Sequence, residues 1–195
     1  MARTLHIHLL DNFRLLDGAE PLAGVDTPRL QSFLGYLLLH RAAPQSRAHL
    51  AFTFWPDSTE AQARTNLRKQ LYHLRQALPD PDYFIHADTN TIHWRAPDRF
   101  TVDVDDVERA VEAAEQARQA GDTAAQRAAI ERATALYEGD LLPGCYDDWV
   151  LPERERLQRR AIQAAEQLAG LLEEERAYQQ AIALVLRVLR LDPLH

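Results

Sequence analysis

The chain has 195 residues, a formal net charge of -7 and a single cysteine, which leaves room for two domains of about 100 residues each and excludes an internal disulfide. No apolar run approaches the ~20 residues of a membrane span, and the N-terminal MARTLHIHLLDNF lacks the apolar core of a signal peptide, so a cytoplasmic protein without a membrane partner is expected. Charge is divided unevenly: residues 1–100 hold 11 Lys and Arg against 10 Asp and Glu, whereas residues 101–195 hold 11 against 19. A mixed, near-neutral half precedes an acidic half rich in helix formers.

In chain order, Leu5, Ile7 and Leu9 alternate with polar neighbours, and Phe13 and Leu15 follow, which predicts two short strands ending at Asp17-Gly18. His6-x-His8 has a metal-compatible spacing, but no further ligand set completes it, and no metal is expected. A helix is expected from about Pro28 to His40, with Leu30, Phe33, Leu34, Leu37 and Leu38 on its core side. Ser46 caps a second, short helix, which Pro56-Asp57-Ser58 ends.

The next stretch, Thr59 to Leu78, is the longest helix of this half. Leu67, Leu71, Leu74 and Leu78 recur at 4, 3 and 4, one buried stripe of a 3.6-residue helix, and Thr59 with Gln62 forms a capping box. The opposite side carries Gln62, Thr65, Lys69, Tyr72 and Gln76, flanked by Asn66, Arg68 and His73, with Arg64 and Arg75 nearer the seam. Arg and Lys suit guanine or phosphate, and Asn and Gln suit adenine, so this face has the chemistry of major-groove reading. Pro79-Asp80-Pro81-Asp82 then predicts a loop. Tyr83–His86 and Thr91–Arg95 read as a hairpin across Ala87-Asp88-Thr89-Asn90. A hairpin directly after a recognition-type helix outlines a winged helix, with its tip near Thr89-Asn90 and Arg95 and Arg99 behind it.

The run HLAFTFWPDSTEAQARTNLRKQLYHLRQAL resembles the helix-turn-helix of the SARP-type bacterial transcriptional activators. Phe54-Trp55-Pro56-Asp57, Arg64, Leu67, Leu74-Arg75 and Leu78 stand at the places of that family's pattern, and LHIHLLDNFRLLDG resembles its opening strands. The resemblance implies DNA binding by this half, and the exposed face of the helix with the hairpin makes Gln62, Arg64, Thr65, Asn66, Arg68, Lys69, Tyr72, His73, Thr89, Asn90 and Arg95 the expected contacts, with Arg75 available to brace the fold.

Past Phe100 only helices are expected: about Val104–Ala120, Thr123–Glu138, Pro152–Glu174 and Tyr178–Leu191. Residues 162–195 scan as one tetratricopeptide unit, with Leu168, Ala169, Ala181 and Pro193 at its preferred positions. ALYEGDLLPG, Trp149 and Glu153-Arg154-Glu155-Arg156-Leu157 resemble the bacterial transcriptional activator domain that accompanies SARP-type winged helices. That domain would normally continue past Leu194-His195, so a chain truncated at its C-terminus is expected.

No nucleophile beside a base, no H-E-x-x-H and no phosphate loop occurs, so neither an enzyme nor a cofactor is expected. The fold class is α+β, a winged helix-turn-helix over residues 1–98, followed by an all-α tetratricopeptide-like domain over residues 99–195. The function that follows is an activator that binds promoter double-stranded DNA, with residues 1–98 carrying the DNA affinity. The acidic helical domain is left to contact RNA polymerase and to form a homodimer. The alternative is a protein-interaction scaffold whose winged helix docks protein in place of DNA.

Overall fold

In the computed structural model residues 4–191 are described, with side chains to residue 187. The N-terminal alternation forms β1 (Leu5–His8) and β2 (Arg14–Asp17), paired antiparallel with Leu5 opposite Asp17 and His8 opposite Arg14. The turn residue Gly18 takes a positive φ of 63°. β3 (Glu20–Pro21) and β7 (Phe100–Val102) complete a four-stranded sheet in the order β3-β2-β1-β7.

Thr27 caps α1 (Pro28–Leu39) by accepting from the Leu30 N–H, and Pro28 opens the helix where no donor is required. Ser46 ends β4 (Gln45–Ser46) and caps α2 (Arg47–Phe54). Thr59 caps α3 (Glu60–Ala77) by accepting from the Gln62 N–H at 3.4 Å. The Gln62 side chain donates onward to Asn66 Oδ1 at 2.8 Å. Leu67, Leu71, Leu74 and Leu78 are buried, and each contributes roughly 1.5–3 kcal/mol. They share a core with Phe33, Leu34, Leu50 and Phe54; the Phe33 and Phe54 rings meet edge-on at 5.5 Å.

The hairpin begins later than its sequence suggests. Pro81–Phe84 form the short helix α4, so Pro81-Asp82 and Tyr83-Phe84 are helical and not loop and strand, because Pro81 presets the first helical φ behind Asp80. The strands proper are β5 (Ile85–Ala87) and β6 (Thr91–Trp94), and β4 pairs with β6 to give the order β4-β6-β5.

Beyond β7 the chain is helical: α5 (Asp103–Ala120), α6 (Thr123–Leu136), α7 (Val150–Glu174) and α8 (Tyr178–Leu191). Gly121, at φ 71°, ends α5 in the left-handed cap, and the Asp122 N–H returns to the Ala117 carbonyl at 2.9 Å. Asp122 then caps α6 through the Ala125 N–H at 2.9 Å. Alanines 110, 114, 133, 164 and 181 lie buried with Ile130, Leu168 and Leu172 and let the helices approach closely. Leu168 and Ala181 are buried, whereas Pro193 lies outside the described residues.

Two compact units result: residues 1–9, 13–101 and 142–151 in one, and residues 10–12, 102–141 and 152–195 in the other. The first mixes both sheets with α1–α4, and the second is helical. A single cut between residues 98 and 99 therefore misses two short segments. Within the first unit, residues 142–151 complete the core: Asp147 accepts from Ser32 Oγ at 2.5 Å and from Arg29 Nη1 at 2.7 Å. Trp149 donates to Ser32 Oγ at 3.0 Å and sets its ring edge-on to Tyr36 at 5.1 Å. Within the second, Leu10 bridges to Leu141, and the Asp11 N–H bonds the Asp140 carbonyl at 3.0 Å.

Candidate nucleic-acid interface

The leucine stripe decides which way α3 turns its polar groups. With Leu67, Leu71 and Leu74 buried, Gln62, Arg64, Arg68, Lys69, Tyr72 and His73 are exposed, and Thr65 and Asn66 are half-buried. Tyr72 is 60% exposed, with its ring edge-on to that of His73 at 5.6 Å. An aromatic so uncovered on a cationic face leaves most of its ring open to a contact from outside the chain.

Pairing between β4 and β6 sets the other wall. Ser46 lies opposite Thr91, so α2 starts beside the hairpin tip. The Arg47 N–H bonds the Asn90 carbonyl and its side-chain Nε bonds the Asp88 carbonyl, both at 2.8 Å. The tip is braced from within: Asp88 Oδ1 accepts from the N–H groups of Asn90 and Thr91 at 2.7 Å, and Asp88 Oδ2 accepts from Thr91 Oγ1 at 2.9 Å. These donors, the Asn90 N–H first, hold the Asp88 carboxyl below the usual carboxylate range.

Between α3, the start of α2 and the tip runs an open groove of about 480 Å³, lined by Ser46, Arg47, Arg64, Thr65, Arg68, Thr89 and Asn90 among others. Thr65 Oγ1 donates to the Ala61 carbonyl at 2.9 Å and accepts from Arg68 Nη2 at 3.0 Å, which holds that guanidinium along the helix. Arg64 pairs with Glu60 one turn earlier at 2.5 Å, an exposed pair worth at most about 0.5 kcal/mol and readily exchanged for another anion.

Of the residues singled out in the sequence, the fold gathers Arg64, Thr65, Arg68, Thr89 and Asn90 around this groove. Gln62, Asn66, Lys69, Tyr72 and His73 lie on other parts of the α3 surface. Arg95 follows β6 at the end away from the tip, roughly 16 Å along an extended chain from Asn90. Arg75 braces the fold: it pairs with Asp82 and donates to the Ile85 carbonyl at 3.4 Å. Arg99 stacks over the Tyr83 ring at 4.2 Å and pairs with Asp80 at 3.7 Å. Arg47 is the groove residue that sequence reasoning passed over. The signal was its place directly after the cap Ser46, where a first-turn residue faces whatever pairs with the preceding strand.

His6 Nδ1 lies 2.8 Å from Thr101 Oγ1, and among the described residues no group of three His, Cys, Asp or Glu side chains is placed to hold a metal ion. No described helix is long and apolar enough to cross a membrane.

Residues 102–195 match the family model of the bacterial transcriptional activator domain. The chain is similar to the regulatory protein AfsR of Streptomyces coelicolor, 24% identical over 97% of this chain and 19% of that protein. It is likewise similar to the regulatory protein AfsR of Streptomyces griseus, 26% identical over 99% of this chain and 19% of that protein. The chain thus spans about a fifth of the length of these relatives. Among solved structures, its fold is similar to Mycobacterium tuberculosis EmbR in complex with a low affinity phosphopeptide, with a TM-score of 0.73, 20% identity, and coverage of 96% of this chain and 54% of that one. Residues 102–195 thus carry the match to the bacterial transcriptional activator domain, and the chain along its length is similar to these regulatory proteins.

Proposed function

We propose that the protein activates transcription by binding duplex DNA through its first unit, a winged helix with α3 as recognition helix and the β5–β6 hairpin as wing. The observation that carries this reading is the groove beside α3, where Arg47, Arg64 and Arg68 stand with Thr65, Thr89 and Asn90. In it, Arg47 and the wing tip take backbone phosphates, Arg68 and Lys69 reach into the major groove or its rim, and Gln62, Asn66, Tyr72 and His73 supply readout along the exposed face. Arg95 is the outermost of the proposed contacts. Residues 101–195, with 19 Asp and Glu against 11 Lys and Arg, repel a phosphate backbone and are left for protein contact, with RNA polymerase and with a second copy of the chain. Such a regulator works in the cytoplasm and needs no cofactor.

Selection from random duplex DNA, followed by titration of the winning site, tests the proposal. A defined consensus whose affinity falls with salt is the expected outcome. Absence of any enriched sequence together with salt-insensitive retention on heparin would favour a protein-docking role for the same surface.

A further inference from the structure

The helical unit contains a trough of about 390 Å³ that the DNA-binding proposal does not use. Its floor is small and apolar, with Ala114, Ala164 and Ile130, and its two walls carry polar side chains at helical spacing. Glu112 and Gln116 stand one turn apart on α5, and Gln163 and Gln167 one turn apart on α7. All four are exposed, and among the described residues none of them has a hydrogen-bond or ion-pair partner.

The other charges of the trough are already committed. Arg118, and then Gln119, hold the Glu115 carboxyl down at about 2, which leaves it ionised and occupied. Arg160 lies 3.9 Å from Glu108. Glu112 is therefore the uncommitted charge of the lining, in a half of the chain whose net charge is negative.

A glutamine amide both donates and accepts, so Gln163 and Gln167, with Gln116 opposite, can pair with the alternating N–H and C=O groups of an extended main chain whatever its side chains are. The apolar floor, wide because Ala stands at 114 and 164, admits side chains of the bound segment, and Glu112 selects a cation beside them. We propose that the trough between α5 and α7 binds an extended peptide segment bearing a Lys or Arg residue. This rests on the reading that the helical unit contacts protein, and it names the surface and the chemistry of the contact.

Randomised 12-residue peptides displayed on phage, selected against the whole 195-residue chain, test it. The selected pool is expected to be enriched at least twofold in Lys and Arg, and its members to bind at least tenfold more weakly to the Gln163→Ala/Gln167→Ala variant. Alanine at exposed helical positions keeps helix propensity, so folding is retained, and circular dichroism verifies it. Glu112→Gln removes the preference for basic over neutral members while main-chain binding persists. An unenriched or acid-rich pool, or equal binding by the double variant, overturns the proposal. Crosslinking to purified RNA polymerase separates it from the broader reading: crosslinks on the helical unit that survive the double variant, with no peptide selected, discard the trough and keep the protein contact. Selection intact without crosslinks keeps the trough and discards RNA polymerase as the partner.

Discussion

The groove beside α3 and the trough between α5 and α7 have similar volumes, about 480 and 390 Å³, and opposite chemistry. In the first, guanidinium groups come from two helices and face a hairpin tip, an arrangement with the charge of a phosphate's counterpart. In the second, Glu112 and Gln116 of α5 and the amides of Gln163 and Gln167 on α7 flank a floor of alanine and isoleucine, and the carboxylates of Glu112 and Glu115 disfavour a nucleic acid. The difference lies in what positions the walls. Helix periodicity alone sets the amides of the trough, whereas the groove depends on β4 pairing with β6 and on hydrogen bonds from Arg47 to the tip. Damage to the sheet or to the core beneath α3 should therefore abolish the groove and leave the trough intact.

The largest effects come from that core. Leu71→Ala should cost roughly 2–5 kcal/mol of first-unit stability, read as a shifted denaturation midpoint, with the α5–α8 helical signal persisting to higher denaturant. Trp149→Ala should cost roughly 2–4 kcal/mol, since its half-buried ring and its bond to Ser32 both disappear. A chain ending at residue 98 lacks this segment and should be markedly less stable than the whole, so the expectation that residues 1–98 suffice for binding gives way to one that includes residues 142–151. Equal stability of the two would mean that this segment is not needed for the first unit.

Next in size are the groove cations. Arg47→Ala and Arg68→Ala should each weaken duplex binding about tenfold, or about 1.4 kcal/mol; Arg68→Ala should leave the unfolding midpoint unchanged, whereas Arg47→Ala also loses the bond to the Asp88 carbonyl and should lower the midpoint slightly. Arg75→Ala should behave in the reverse sense, lowering stability while keeping the salt dependence, as its guanidinium serves Asp82 and the Ile85 carbonyl. Arg68 and Arg75 lie seven residues apart, nearly on one stripe of α3, and yet Arg68 bonds Thr65 within the helix whereas Arg75 reaches Asp82 and the Ile85 carbonyl beyond it.

That pair also shows how much was legible in advance. The 4-3-4 leucines and the Thr59 cap are local signals, and α3 lies where they place it. Local patterns likewise located β1, β2, α1, α2 and the four later helices. What they could not carry was any contact made by chain reversal: Asp82 reaching Arg75, Asn90 and Asp88 receiving Arg47, and residues 142–151 returning to Ser32. The same limit explains Tyr83-Phe84, whose strand-like residue types yielded to the helical turn started by Pro81.

A smaller effect concerns pH. The folded-state value of Asp88 lies below its ordinary 3.8, so the bonds from Asn90 and Thr91 stabilise the tip fully above about that pH. The contribution is lost as pH falls from there through the lowered value. Hydrogen exchange of the Asn90 and Thr91 amides should accelerate in that acid window relative to the rest of β6, and Asp88→Ala should remove the dependence. The smallest effect is that of Glu112→Gln, which should leave duplex affinity and unfolding unchanged; a change in either would tie the trough to the groove.

Salt titration of duplex affinity tests most directly the assignment of the groove beside α3 to DNA. With Arg47 and Arg64 on phosphates and Arg68 and Lys69 at the groove rim neutralising one phosphate each, log K should fall with log salt at a slope of roughly −3.6, and Arg47→Ala and Arg68→Ala should each flatten it by about 0.9. A parent slope near zero, or a slope that neither substitution changes, would contradict that assignment.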